Sequence, residues 1–283
     1  MPTLRSYHHT IKPNNGWLRN QPLFIIMTIK EILKKAKPRS EIIKYYFKRI
    51  FGIKSKLNND VYINHKGIVY NCGRTMDQIK CVLEDEVDDI KLEEDFSGKT
   101  IIDFGANVGV FTILFSKLVG DGGKVIAIEP SKETFRLLKE NMSSNSINNS
   151  YIENIGCSDE KGIKTLFEND KYPTGNTTKI NSDGYTKIED LEETKINVDT
   201  IDNICKYEKN IGLIKIDTEG TELEVLKGAI KTIEEYKPII IFEAWTDRDA
   251  AKINLFLSKF NYCVKHIGHY NYMAYQNDNN KKL

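Results

Sequence analysis

Asp103 stands two residues ahead of Gly105 in the run Ile101-Ile102-Asp103-Phe104-Gly105-Ala106-Asn107-Val108-Gly109. The apolar half predicts a buried strand, the glycines a tight turn, and the residues from about Val108 to Leu118 a helix. Ligands of such strand–turn–helix units bind beyond the carboxyl ends of the strands. Gly105 and Gly109 would let the backbone turn and leave room for a ligand. The simplest alternative is a plain strand–helix turn. A sharper one is the dinucleotide fingerprint G-x-G-x-x-G, which seats a pyrophosphate on the helix N-terminus. Here the middle glycine is replaced by Asn107, and Asp103 would repel a pyrophosphate. An acid at that place suits a ligand carrying an amino group and a sulfonium, as S-adenosylmethionine does.

Two further acids stand at the ends of apolar runs. Glu129 closes Val125-Ile126-Ala127-Ile128, 26 residues after Asp103. A carboxylate there can accept from both hydroxyls of a ribose. Asp217 closes Ile214-Lys215-Ile216 and opens the polar run Asp217-Thr218-Glu219-Gly220-Thr221-Glu222. A base at this strand end could take a proton from an attacking hydroxyl. Asp217 is the first choice for that role, and Glu219, Glu243 and His266 are the alternatives. Glu222, and Glu219 as a second reading, are acids of a first helical turn, favoured there by the helix dipole.

Taken together, D-F-G-A-N-V-G at 103–109, I-E-P at 128–130, V-D-T-I-D at 198–202, I-K-I-D-T-E-G-T-E at 214–222 and L-K-G-A at 226–229 resemble the FkbM-type methyltransferase family. The resemblance covers roughly residues 60–245. It implies an α/β fold of the class I methyltransferases, a Rossmann-like, mostly parallel sheet with helices on both faces. It implies S-adenosylmethionine as cofactor and methylation of a hydroxyl on a sugar, glycan or small natural product. By the same resemblance Asp103, Gly105, Ala106, Asn107, Gly109 and Glu129 would hold the cofactor. Ser158 and Asp159, after the third strand, would lie near the adenine.

The elements needed to position these residues are legible as strand–helix alternation from residue 98 onward. Strands are expected at Thr100–Phe104, Lys124–Ile128, Ser150–Ile155, Gly162–Phe167, Thr194–Val198, Leu213–Asp217, Pro238–Phe242, Tyr262–Ile267 and Tyr272–Tyr275. Helices are expected over Lys132–Met142, Thr221–Tyr236 and Ala250–Phe260. Such alternation means a parallel sheet covered on both faces. Ahead of it, residues 57–97 read as a hairpin, Val61–Ile63 and Ile68–Tyr70 turned at His65-Lys66-Gly67, and an acidic helix over 75–95. Residues 1–56 read as a polar tail and two basic amphipathic helices, 23–36 and 41–52.

Charge divides the chain of 283 residues in the same way. Residues 1–56 carry 13 Lys and Arg against 2 Asp and Glu, and the remainder carries 28 against 38. The basic faces and Tyr45, Tyr46, Phe47 and Phe51 suit either packing on the α/β body or contact with an anionic membrane surface through residues 23–53. The acidic body, without an N/D-P-P-Y/F-type run, argues against a nucleic-acid substrate. No apolar run approaches the ~20 residues that span a bilayer, and the start lacks a signal-peptide pattern, so the expected location is the cytoplasm. Five cysteines in no C-x-x-C pair read as free thiols.

The metal-ligand spacing Cys263, His266, His269 is discounted, because an odd step puts Cys263 and His266 on opposite faces of a strand. His65 is expected to be exposed in its turn. The loop Tyr172-Pro173-Thr174-Gly175-Asn176 could gate an acceptor. Two other function classes stand beside the methyltransferase: a nicotinamide oxidoreductase, which NADH binding would reveal, and a non-catalytic module that binds a nucleoside cofactor, which binding without turnover would reveal.

Overall fold

The computed structural model describes residues 60–83, 90, 92, 94–170, 173–178 and 191–277. The basic arm and its two expected helices lie outside the described residues. So do residues 84–89, 91 and 93 of the acidic helix expected over 75–95; of the described part, Met76–Leu83 is helical (α1) and 90, 92, 94 and 95 are not.

The centre of the molecule is a seven-stranded sheet. Its strands are β3 (Thr100–Phe104), β4 (Lys124–Ile128), β5 (Ser150–Glu153), β9 (Ile211–Ile216), β10 (Ile239–Glu243), β11 (Tyr262–Gly268) and β12 (Asn271–Gln276). Their spatial order is β11-β12-β10-β9-β3-β4-β5. The run β10-β9-β3-β4-β5 is parallel, and β12 is antiparallel to both of its neighbours. The chain builds outward from β3 through β4 to β5, then returns to build the other way from β9 to β10. The point of reversal between β3 and β9 is where a doubly wound sheet opens a crevice for a ligand. This is the α/β, Rossmann-like class I arrangement.

Alternate strand residues face opposite sides of the sheet, and each side has its own core. Ile101, Val125, Leu213 and Ile241 pack with α2 (Val110–Val119), α3 (Lys132–Ser144), the N-terminal hairpin and α1. Ile102, Phe104, Ile126, Ile214 and Phe242 pack with α4 (Ile201–Ile204), α5 (Glu222–Lys227), α6 (Ile230–Tyr236) and α7 (Asp247–Ser258). Ser131 and Thr246 supply the oxygens that cap α3 and α7, each accepting from the backbone three residues on.

The hairpin, β1 (Tyr62–His65) and β2 (Ile68–Asn71), turns through Lys66 and Gly67, both at positive φ, as a two-residue loop requires. Two buried asparagines, Asn141 of α3 and Asn145 just past its end, fasten it. The Asn141 side chain accepts from Asn71 N–H at 2.5 Å and donates to the Asn71 and Val108 carbonyls. The Asn145 side chain pairs with the N–H and carbonyl of Val69. His65, expected in an exposed turn, ends β1 and is buried, because the turn begins one residue later.

A smaller sheet of order β6-β8-β7 flanks the carboxyl end, with β6 (Gly156–Cys157), β7 (Gly162–Glu168) and β8 (Glu192–Asp199). The helix expected over Thr221–Tyr236 is two helices. Asp202 breaks it: its N–H takes the Gly228 carbonyl, and its carboxylate accepts from Lys231 and Thr232 N–H to start α6 anew. The break leaves Ile230 exposed despite its helical spacing.

Candidate active site

Strand register sets the site. Phe104 pairs with Ile128 on one side and Ile216 on the other, and Ile216 pairs with Phe242. Gly105, Glu129, Asp217 and Glu243 are therefore the first residues past one straight line across four strands. They line a cleft of about 350 Å³, closed from the side by Ile155, Gly156 and Cys157 and from above by Asp77, Lys80 and Cys81 of α1.

On the β3–β4 side the polypeptide folds around Glu129. Its Oε2 accepts from Asn107 N–H and its Oε1 from Ser131 N–H, both at 2.9 Å. Burial pushes its carboxyl up to about 7, against the pull of those two N–H groups. Each carboxylate oxygen keeps a second lone pair, so a vicinal diol can still be taken. Asn107 sits at φ 50° in the same turn, and its buried Oδ1 has no hydrogen-bond partner. An unsatisfied acceptor in a cleft wall fits a ligand with N–H or O–H donors, as the amino group and ribose of S-adenosylmethionine provide.

On the β9–β10 side three carboxylates converge. One oxygen each of Asp217, Glu219 and Glu243 lies within 4.8 Å of the other two, a group with the reach to hold a cation. Glu222 shapes the loop that carries Glu219. Its Oε1 accepts from Thr218 and Gly220 N–H, both at 3.0 Å. Glu219 is held at φ 58°, a conformation costly for a residue with a Cβ and one that concentrates at functional sites. Burial, then the charges of Asp217 and Glu243, push the Glu219 carboxyl well above the usual range.

Beneath these acids lies Lys215, almost wholly buried. Its Nζ is 3.0 Å from Asp217 Oδ2, 3.9 Å from Asp103 Oδ1 and 4.7 Å from the centre of the Phe111 ring. Burial disfavours its charge, but Asp217 and Asp103 outweigh that and hold the proton more firmly than in water. Among the described lining residues, Asp77, Glu129, Asp217, Glu219 and Glu243 face only Lys80 and Lys215 as bases. The cleft suits a cationic ligand and repels a pyrophosphate.

The Methyltransferase FkbM domain model matches residues 103–264, more than half of the chain. The chain belongs to the FkbM methyltransferase family. It is 25% identical over 143 residues to Methyltransferase 1 of Beauveria bassiana, covering 45% of this chain and 57% of that one. It is 27% identical over 158 residues to Hexuronic acid methyltransferase AglP of Haloferax volcanii, covering 56% of this chain and 61% of that one. The chain thus spans about six tenths of the length of these two curated relatives. The solved FkbM methyltransferase of Methylobacillus flagellatus is 19% identical with a TM-score of 0.47, covering 65% of this chain and 45% of that one.

Within this FkbM domain, Gly105, Ala106, Asn107, Glu129, Asp217, Glu219 and Glu243 all line the cleft. Asp103 does not. It is fully buried below the turn, where it accepts from Thr112 Oγ1 at 2.6 Å and reaches the cleft only through Lys215. Gly105 lines the cleft, but the direction a Cβ would take is filled there and at Gly109. A Cβ on Gly105 would come within 1.7 Å of the Asp217 carbonyl, and one on Gly109 within 2.6 Å of Met142. The glycines let β3 and β9 approach and let α2 pack on α3.

Ser158 and Asp159 also lie outside the cleft. Ser158 is buried and donates to Asp159 and Glu224, and Asp159 is exposed. The two-residue strand β6 turns the chain inward just before them, so Ile155, Gly156 and Cys157 form the wall instead. His266 is exposed on β11, bonded to the His269 carbonyl, and is not part of the lining. Pro173, Thr174 and Asn176 of the suspected gating loop do line the cleft, while Tyr172 lies outside the described residues. Asp77 Oδ2 accepts from both the N–H and hydroxyl of Thr174, which ties that loop to α1.

Lys215 was missed as a site residue. Its signal was a lysine inside an otherwise apolar strand, Ile211-Gly212-Leu213-Ile214-Lys215-Ile216, since a buried lysine demands a partner. Asp77 and Lys80 carry no such signal, because only the packing of α1 brings them to the cleft.

Proposed function

We propose that this chain is an S-adenosylmethionine-dependent O-methyltransferase acting on a hydroxyl of a sugar or sugar-like natural product. One observation carries the reading. A single strand-end line presents a diol-accepting carboxylate, Glu129, on one side and a group of three acids on the other, in a cleft with excess negative charge. Glu129 and Asn107 would hold the ribose and amino ends of the cofactor, and Ile155, Gly156 and Cys157 would flank its base. The bound cofactor supplies an electrophilic methyl group on a positively charged sulfur. The acidic cleft stabilises that charge as it could not stabilise a pyrophosphate, which sets the nicotinamide reading aside.

Glu219 is our choice of base. Asp217 already has the Lys215 ammonium at 3.0 Å, so Lys215 and Asp217 act as a positioning pair. Among the described residues no such cation pairs with Glu219, and burial with its acidic neighbours raises its proton affinity. A cationic cofactor would offset part of that rise, and a raised carboxyl is a better base than a free one. The acceptor's hydroxyl then loses its proton to Glu219 as its oxygen bonds to the methyl carbon and the carbon–sulfur bond breaks. The sugar class, though not the acid group, is supported by the hexuronic acid named for the Haloferax volcanii relative.

The test is to incubate the chain with methyl-labelled S-adenosylmethionine and fractionated cell glycans, lipids and small metabolites. Label in a sugar ether, stable to mild alkali, is the expected result. Cofactor binding with no label in any fraction would support the non-catalytic module instead.

A further inference from the structure

Trp245 stands two residues past the end line of β10 and is 43% exposed. A single exposed aromatic side chain is ordinary by itself, so what it is bonded to decides its meaning. This one is held: its Nε1–H donates to Glu243 Oε2 at 2.8 Å. Glu243 lines the cleft and Trp245 itself does not, so the indole is fixed one hydrogen bond outside the wall, on the side of the three acids. The intervening Ala244 N–H donates to the Tyr270 carbonyl at 2.9 Å, which brings the β11–β12 turn alongside. Tyr270 is 55% exposed in that turn. An aromatic face fixed beside carboxylates is the chemistry that takes a sugar ring. The apolar C–H face stacks on the indole, and the ring hydroxyls donate to the acids.

We propose that Trp245 is the stacking platform of the acceptor subsite and that, with Glu243, it selects an uncharged pyranose ring. This rests on the methyltransferase reading given above and adds the class of sugar. A carboxylated sugar would bring a further negative charge against Glu219, Glu243 and Asp217, and like charges in a shared site repel. A cationic ring would be drawn by the acids and the indole face alike, so it is the competing occupant for the test to separate.

The chain contains two tryptophans, Trp17 and Trp245. In the full chain carrying Trp17→Phe, fluorescence reports on Trp245 alone. The protein, saturated with S-adenosylhomocysteine, is titrated with methyl β-glucopyranoside, the corresponding methyl glucosaminide and the methyl glucuronide. A saturable emission change with the neutral glycoside, stronger than with the glucuronide, is expected. A response to the glucosaminide alone, a preference for the glucuronide, or no response to any of the three overturns the proposal.

A second arm uses the labelled glycan fraction as acceptor. Trp245→Ala should raise KM for the acceptor about tenfold, the scale of one stacked ring, with kcat and S-adenosylhomocysteine affinity unchanged. Trp245→Phe should recover most of the loss. Wild-type KM in Trp245→Ala overturns the platform while leaving the methyltransferase reading intact. Failure of the protein to bind S-adenosylhomocysteine would instead overturn that reading, and the platform with it.

Discussion

The Lys215 ammonium lies 3.0 Å from the Asp217 carboxylate and 3.9 Å from that of Asp103, so one buried cation joins the interior acid of β3 to the cleft acid of β9. Register makes this possible. Asp103 and Lys215 are direct cross-strand neighbours, and Asp217 follows Lys215 by two, on the same face of the sheet. Replacing Lys215 with Met should leave Asp103 buried without its counter-charge and cost about 3–5 kcal/mol, the scale for breaking a buried pair. Adding Asp103→Asn to that variant should restore part of the loss. Urea unfolding of the two single variants and the double variant checks this, and strict additivity would show that the two groups are not coupled.

The choice of base is tested by Glu219→Gln beside Asp217→Asn. Glu219→Gln should lose turnover by about 10²–10⁴-fold, the contribution of a positioned base, and keep its cofactor affinity. Asp217→Asn should lose less, because it perturbs the Lys215 pair rather than the proton acceptor. Single-turnover methyl transfer separates chemistry from release. The reverse order of losses would return the role to Asp217.

Cofactor affinity should depend on pH through Glu129. Its carboxyl titrates near 7 in the free protein because it is buried. Only the ionised form can accept from both ribose hydroxyls while still accepting from Asn107 and Ser131. Below pH 7 a growing fraction is protonated, so affinity should fall up to tenfold per unit toward pH 5. It should be level above about 8. Calorimetry in buffers of different ionisation enthalpy should show proton release on binding near pH 6. In Glu129→Gln the dependence should vanish, with binding weaker by about 1.5–3 kcal/mol at pH 8.

Gly105→Ala should prevent stable folding. The new methyl would meet the Asp217 backbone carbonyl at 1.7 Å, at φ 73°, and backbone cannot give way as a side-chain tip can. Gly109→Ala meets the flexible end of Met142 at 2.6 Å and should be milder, although φ 93° adds strain. Thermal unfolding of both variants checks the order. A Gly105→Ala protein as stable as the wild type would mean that β3 and β9 can move apart at this turn without cost.

Asn141→Ala should loosen the hairpin and the glycine turn after β3 together. The Asn141 side chain bonds Asn71 through both backbone groups and also the Val108 carbonyl. Losing it leaves buried backbone groups unpaired, at about 1–3 kcal/mol for each group left unsatisfied. Hydrogen exchange should show faster exchange at Asn71 and around residues 105–110 in the variant. A change confined to the hairpin would sever the link between the two.

Local sequence determined the strands, the glycine turn and the acids at strand ends, because unbroken apolar runs and φ > 0 demands are properties of neighbouring residues. It therefore placed Glu129 and Asp217 at strand ends, and the cleft lies just beyond those ends. What a side chain does after that is decided by residues far along the chain. Asp103 looked like a cofactor ligand, yet its carboxyl is turned to Thr112 and Lys215 because its strand face is the one that α2 covers. Ser158 and Asp159 fell outside the cleft because a two-residue strand pairs with β8, some forty residues away. The break at Gly228 depends on Asp202, and the roof of the cleft on α1. None of these can be read from spacing, because register across strands and the packing of helices on a sheet are settled only when distant segments share one core.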